Sequence, residues 1–389
     1  MRVALISSTF PPEGRGGAEA YVDTLACALA EEHDVLVLTG ARHGVLSGSG
    51  RVAALPGLSP LPRSAATARK LLWHAQDQWL PRTFVAASRT LRQFRPDVVH
   101  THECQGLSAA VFTAVERLNI PHVHTAHDLN LLCARVTMTK EGEFCGGRCH
   151  LCRIQRAVRG GAVRRHITRL LSVSDYIHRR HLEAGIVPPD RATVIRLGSA
   201  VPEVSEPRAA SNGFHIGFLG SLAPHKGVKT LIEAFGRGDD PHWRLSIAGS
   251  GELEPHVLLA AAGDDRISYL GQVAGDDKEA FFATIDVLAV PSEWEEPAAT
   301  VATEAIARGI PTIVSDRGGL PEIAEAFVFP SKDVASLHAA LKRLADHPGE
   351  REEVTRRLRL RSEEFTWETH YRAVHEVLKS AAQSRTAAQ

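Results

Sequence analysis

Short apolar runs alternate along this chain with longer stretches whose apolar residues recur every three or four positions. "RVALISS" reads as a strand buried on both faces, and "GGAEAYVDTLACALAEE" as the amphipathic helix that follows it. "HDVLVLTG", "PDVVHTH", "PHVHTAHD" and "RLLSVSD" continue the series, each strand closing on polar residues. Residues 202–213, "PEVSEPRAASNG", have the Pro/Ser/Gly character of a linker. A second series begins after it: "FHIGFLGS", a helix over "GVKTLIEAFGR", then "WRLSIAGSG", "ISYLGQV", "DVLAVPS", "TIVSD" and "AFVFP". "FTWETHYRAVHEVLKSAA" closes the chain as an amphipathic helix. Strands alternating with helices predict parallel sheets covered on both faces. The expected fold is therefore α/β, with two Rossmann-like doubly wound halves at residues 1–200 and 201–364 and a terminal helix at 365–389.

Composition narrows the function. A chain of 389 residues suits two domains, and 45 basic against 45 acidic residues give no argument for nucleic acid. No apolar run approaches the ~20 residues that span a bilayer. The opening "MRVALISSTFPP" lacks the basic region, long apolar region and cleavage site of a signal peptide, so a cytoplasmic protein is expected.

The most informative stretch is "PSEWEEPAATVATEAIARGIPTIVSD", residues 291–316, which holds Glu296 and Glu304. Eight helical steps turn through roughly 800°, leaving the two side chains about 80° out of register. They do not pair on one helix face. Pro297 suits a first helical turn, and Gly309 and Pro311 suit a helix end. Glu296 is then expected in the loop before a helix and Glu304 about two turns inside it. The helix amides between them would face an extended anionic ligand.

Glycine-rich turns follow three strands. "PPEGRGGAEAY" carries Gly14, Gly16 and Gly17, but its spacing is not the dinucleotide fingerprint, which disfavours a nicotinamide cofactor. "FLGSLAPHKGVKTL" sets Lys226 after a strand with Gly227 opening the next helix. Such a lysine either meets a phosphate or is an ordinary turn residue. "IAGSGELEP" places Gly249 to Gly251 after another strand.

Together "GGAEAYV", "HTAHDL", "SVSDYI", "GSLAPHKGVKTLIEAF", "IAGSGE", "YLGQV", "EEPAATVATEAIARGIPTIVSDRGGLPE" and "FTWETHYRAV" carry a resemblance. Over almost its whole length the chain resembles the retaining glycosyltransferases of family 4, also called group 1. The two glutamates with the trailing "GGLPE" are its most specific part. The resemblance implies the GT-B fold, two Rossmann-like domains facing a central cleft. The first half would bind the acceptor, the second the nucleotide sugar, and the terminal helix would cross back to the first half.

Carried onto this sequence, the resemblance puts Glu296 beside the donor sugar and Glu304 on the ribose hydroxyls. It puts the amides near Ala298, Ala299 and Thr300 at the distal phosphate, Lys226 on the phosphates and His127 near the reacting sugar. Gly16, Gly17, Gly220, Ser221 and Gly249 would line the nucleotide sugar, and the residues from Val273 onward would read the base. The alternative for His127 is an ordinary strand-end histidine. The family usually has an arginine where this chain has Ser221, so phosphate charge would fall on Lys226, the amides and another cation such as Arg317 or Arg15. The implied reaction moves a sugar from a UDP-, GDP- or dTDP-sugar to a hydroxyl acceptor. No D-x-D pair is present, so no catalytic metal is expected. The rival functions are a nucleotide-sugar epimerase and a non-catalytic nucleotide-sugar-binding protein.

Four of the six cysteines, Cys133, Cys145, Cys149 and Cys152, form a C-x11-C-x3-C-x2-C cluster across residues 133–152. With Gly146 and Gly147 this spacing suits a structural zinc knuckle; a disulfide, free thiols or an iron–sulfur cluster are the alternatives. Cys27 and Cys104 read as ordinary. The arginines of "RIQRAVRGGAVRRHI" form either a solvated helix face or a contact with anionic lipid or an anionic acceptor. Trp73 and Trp79 are expected to pack as core in preference to lining an acceptor groove.

Overall fold

The computed structural model describes residues 1–389 apart from 14–16, 42–43, 62–65, 141–142, 147–148, 201–212 and 387–389, and the side chains of all but 140, 143, 385 and 386 of the remainder. Gly14, Arg15, Gly16, Gly147 and nearly all of the expected linker lie outside the described residues. The chain forms two compact units, Met1–Arg196 with Tyr371–Gln389, and Leu197–His370.

The first unit is built on a parallel sheet of β1 (Arg2–Ser7), β2 (Asp34–Thr39), β3 (Arg51–Ala54), β4 (Val98–Thr101), β5 (His122–Ala126), β8 (Ile167–Ser172) and β9 (Ala192–Val194). The spatial order is β3-β2-β1-β4-β5-β8-β9. A small antiparallel pair, β6 (Thr139–Lys140) with β7 (Glu143–Phe144), lies in the cysteine-bearing segment. Val3 to Ile6 of β1 are fully buried, which explains its unbroken apolar run. Helix Gly17–Ala30 covers the sheet with Tyr21, Val22, Leu25, Ala26 and Leu29. β3 and β9 escape a sequence reading because "RVAA" and "ATV" are short and only half-buried; pairing with β2 and β8 makes them strands.

The second unit holds β10 (Phe214–Leu219), β11 (Trp243–Ala248), β12 (Ile267–Gly271), β13 (Val287–Val290), β14 (Thr312–Ser315) and β15 (Phe327–Phe329), in the order β12-β11-β10-β13-β14-β15. All pairings are parallel. β13 shows why the strand is apolar throughout. Val287 and Ala289 enter a core with Leu231, Phe235 and Leu245, while Leu288 and Val290 enter another with Phe281, Phe282 and Ala302. Each large side chain fully buried this way contributes about 1.5–3 kcal/mol.

One helix, Trp367–Thr386, ends the described chain; its residues from Tyr371 group with the first unit. Val374, Leu378 and Ala381 are its buried stripe. Among the described residues no helix is long and apolar enough to cross a membrane.

Two expectations are corrected. Helix Thr67–Gln76 buries none of its residues, and Leu71, Leu72 and Trp79 are exposed. The adjacent leucines do not form a stripe wide enough to face a core, so Trp73 is only half-buried and Trp79 is exposed. In the arginine-rich segment Arg153, Arg164 and Arg165 are exposed, but Arg159 is fully buried. It pairs with the Asp77 carboxylate and donates to the carbonyls of Cys104 (3.1 Å) and Asp77 (2.9 Å) and to Asn130 Oδ1 (2.7 Å). These partners come from three distant loops, which a helical pattern cannot reveal.

Candidate active site

In the second unit the strand order reverses between β10 and β13. Open parallel sheets bind ligands outside the strand carboxyl ends at such a reversal. Lys226 lies on the short turn Pro224–Lys226 after β10, and Glu296 in the loop after β13. Lys226 Nζ donates to Glu296 Oε2 at 2.8 Å and Oε1 at 3.0 Å. Glu296 is only 5% exposed, and Oε2 also accepts from Ser292 Oγ (2.9 Å) and Trp294 Nε1 (2.8 Å). These donors offset the desolvation of the carboxylate. The lysine ammonium also lies 5.3 Å from the Trp294 ring centre.

Glycines let the loops meet. At Gly227, with φ 73°, a Cβ would come within 1.9 Å of Pro291 O. At Gly318, with φ 59°, a Cβ would come within 2.2 Å of Glu296 O, and the Gly319 N–H donates to that oxygen at 2.8 Å. The paired glycines of "GGLPE" thus clamp the Glu296 backbone.

That clamp explains a correction to the sequence reading. The helix spans Thr300–Ala307, so Pro297 lies before it and Glu304 only a little beyond one turn inside. Residue 296 is fixed in the loop through both backbone and side chain, and the helix starts only when the chain is clear of it. Ala299 is an extended N-cap with no side-chain cap bond; its carbonyl accepts from the Ala302 (3.0 Å) and Thr303 (3.2 Å) amides, leaving those of Thr300 and Val301 to other acceptors. Gly309, at φ 73°, follows the C-cap Arg308 as expected. Glu304 accepts from Lys278 Nζ at 2.6 Å.

The remaining loops interlock at the same strand ends. Gly220 N–H donates to Ala248 O (3.1 Å), Leu222 N–H to Ser250 O (2.8 Å) and Gly249 N–H to Gly271 O (2.7 Å). Ser221 is exposed, and Val273 packs part of its surface against the Phe281–Phe282 core. Arg317 is engaged by Glu295 at 3.6 Å and Asp316 at 3.5 Å. Sequence reasoning missed Lys278 and Trp294. Lys278 stands in "GDDKEAFF", where nothing local separates it from a surface lysine.

In the first unit, Gly17 opens the helix after β1 and His127 follows β5. His102 Nδ1 lies 3.1 Å from His127 Nε2, and Tyr21 meets the His127 ring edge-on at 4.8 Å. Behind them β4 and β5 carry His100, His122 and His124, all buried, with Thr101 Oγ1 joined to His122 (2.7 Å) and His124 (2.8 Å). Burial holds His102 and His124 well below the ordinary imidazole value and His122 down at about 3, so these three rings are neutral at pH 7. Glu103 and Asp128 are hydrogen-bonded to each other. Burial first, then the charges of Asp128 and Glu19, push Glu103 well above the carboxylate range; burial raises Asp128 to about 6. The pair therefore retains a proton near neutrality. The sequence reading did not identify Glu103.

All six cysteines are free thiols. Cys149 Sγ lies 3.2 Å from Cys152 Sγ, and the Cys133 thiol, hydrogen-bonded to Cys152, is held down at about 6. Cys145 is positioned by its N–H to Met138 O at 2.8 Å. No three of the four sulfurs lie mutually within 4.8 Å.

The chain matches the family described as Glycosyltransferase Family 4 over residues 15–199 and that described as Glycosyl transferases group 1 over residues 203–361. It is 27% identical over 421 residues to a glycogen synthase of Mycobacterium tuberculosis, covering 98% of this chain and 95% of that one. Its fold is similar to sucrose-phosphate synthase from Thermosynechococcus elongatus, with TM-score 0.76, 21% identity and full coverage of both chains. It is also similar to Anabaena HepE in complex with UDP, with TM-score 0.74, 17% identity, and 98% and 100% of the two chains covered.

Proposed function

We propose that this chain, which belongs to the family 4, group 1 glycosyltransferases, is a retaining enzyme that moves a sugar from a nucleoside-diphosphate sugar to a hydroxyl acceptor. The observation that carries the reading is the pair of half-buried Lys226 with buried Glu296, set beside a helix N-terminus where the strand order reverses. The fold shared with HepE, solved with UDP, makes a UDP-sugar the first donor to try.

In the proposed reaction the bond from sugar C1 to the diphosphate oxygen breaks, its electron pair staying on the phosphate. The acceptor oxygen bonds to C1 on the same face, and its proton passes to the departing phosphate. Lys226 and the amides at Ala298, Ala299 and Thr300 would meet the growing negative charge, where fixed cations and dipoles are most effective. Glu296 would orient the sugar and Glu304 the ribose. Gly17, Gly220, Ser221, Gly249 and Val273 would line the donor. In the first unit, His127 with Glu103 and Asp128 offers hydrogen-bonding groups for a hydroxyl-bearing ligand.

We also propose Cys133, Cys145, Cys149 and Cys152 as ligands of a structural zinc ion. The thiol donor set and the Cys149–Cys152 approach support it, and ion binding would draw the four sulfurs together.

Thermal denaturation with UDP-, GDP- and dTDP-sugars tests the donor; incubation with the stabilising donor and candidate acceptors tests transfer. Stabilisation by one nucleotide sugar and a product with retained anomeric configuration are expected. Epimerisation of donor alone, or inverted product, would overturn the reading.

A further inference from the structure

The turn between helix Gly17–Ala30 and β2 carries Glu32 and His33, and the terminal helix brings His375 against it. His33 Nε2 lies 2.7 Å from His375 Nε2, and Tyr371 stacks on the His375 ring at 5.4 Å and 9°. A Glu32 carboxylate oxygen and one nitrogen of each histidine all lie within 4.8 Å of one another. Among the described residues this is the one group of three such side chains that converges so closely.

We propose that Glu32, His33 and His375 form a binding site for a divalent first-row transition ion of the zinc class, fastening the terminal helix to the first unit. Two imidazoles and a carboxylate suit such ions, whereas calcium and magnesium prefer all-oxygen shells. Zinc–nitrogen bonds of about 2.0–2.1 Å require the two nitrogens to part to a little over 3 Å. Neither histidine is locked in the core and Glu32 is exposed, so ring rotation suffices. The site lies at the amino ends of the strands, the opposite sheet edge from His127, and its role is structural. It shares no residue with the cysteine cluster.

The test is calorimetric titration of zinc chloride into the full chain, in chelator-free buffer, for wild type, His375→Ala, Glu32→Gln and a Cys149→Ser/Cys152→Ser double variant. One binding event should survive in the cysteine variant but weaken at least about tenfold in His375→Ala, the scale on which even outer partners of a metal act. Zinc should raise the Tm of the cysteine variant but not of the same variant carrying His375→Ala as well. Unchanged binding in both His375→Ala and Glu32→Gln, or loss of all zinc binding in the cysteine variant, would overturn the proposal. If His375→Ala does not fold, His33→Gln is read in its place by the same criteria.

Discussion

Lys226 Nζ bridges both carboxylate oxygens of Glu296, 70 residues further along the chain, at 3.0 and 2.8 Å. The pair joins the two loops that flank the strand reversal, and Trp294 braces both partners. A diphosphate arriving there would meet a cation already held in place.

Lys226→Ala should lower kcat/KM by at least about 30-fold, roughly 2 kcal/mol, because helix amides carry only partial charges. Ser221→Arg should tighten donor binding by supplying a second cation. Steady-state kinetics within about twofold of wild type for Lys226→Ala would reduce that lysine to a turn residue.

Glu304→Ala should weaken free-nucleotide binding by about 1.5–3 kcal/mol, the worth of a charge-assisted hydrogen bond. Glu296→Gln should instead reduce turnover more than nucleotide affinity. Calorimetry beside kinetics separates the two, and the reverse pattern would exchange their roles.

Arg159→Ala should destabilise the first unit by about 3–5 kcal/mol, since it strands Asp77 as a buried, unpaired carboxylate. Urea denaturation measures this. A loss under about 1 kcal/mol would place the pair with weak surface ion pairs.

The Asp128 carboxyl is raised from 3.8 to about 6 in the fold. A raised carboxyl contributes stability fully below its unfolded value and loses that contribution as pH rises through about 6. Asp128→Asn, which cannot ionise, should therefore gain stability over wild type at pH 8 and lose most of that advantage at pH 5. A Tm difference independent of pH would contradict the assignment.

The cysteine cluster should hold about one zinc per chain, as a four-ligand site does. Metal analysis of the Glu32→Gln/His375→Ala variant isolates this site from the histidine one. A metal-free protein whose Tm is unchanged by added zinc would rule the cluster out.

The sequence by itself determined the two parallel sheets, because strands buried on both faces must be apolar throughout and "RVALIS" and "VLAV" are. It also marked Glu296 and Glu304 as candidates, since glycines, prolines and carboxylates define a loop-to-helix junction within one short stretch, whereas Lys226 stood out only by its place after a strand. Tertiary structure alone decided who partners them. Lys278 reaches Glu304 from another helix, Gly319 fixes Glu296 from the loop after β14, and Glu103 shares a proton with Asp128 from the loop after β4. The helix after Glu296 starts at Thr300 and not at Pro297 for the same reason. Local propensity acts over a few residues, whereas desolvation and hydrogen bonding act between groups that only the folded chain brings together.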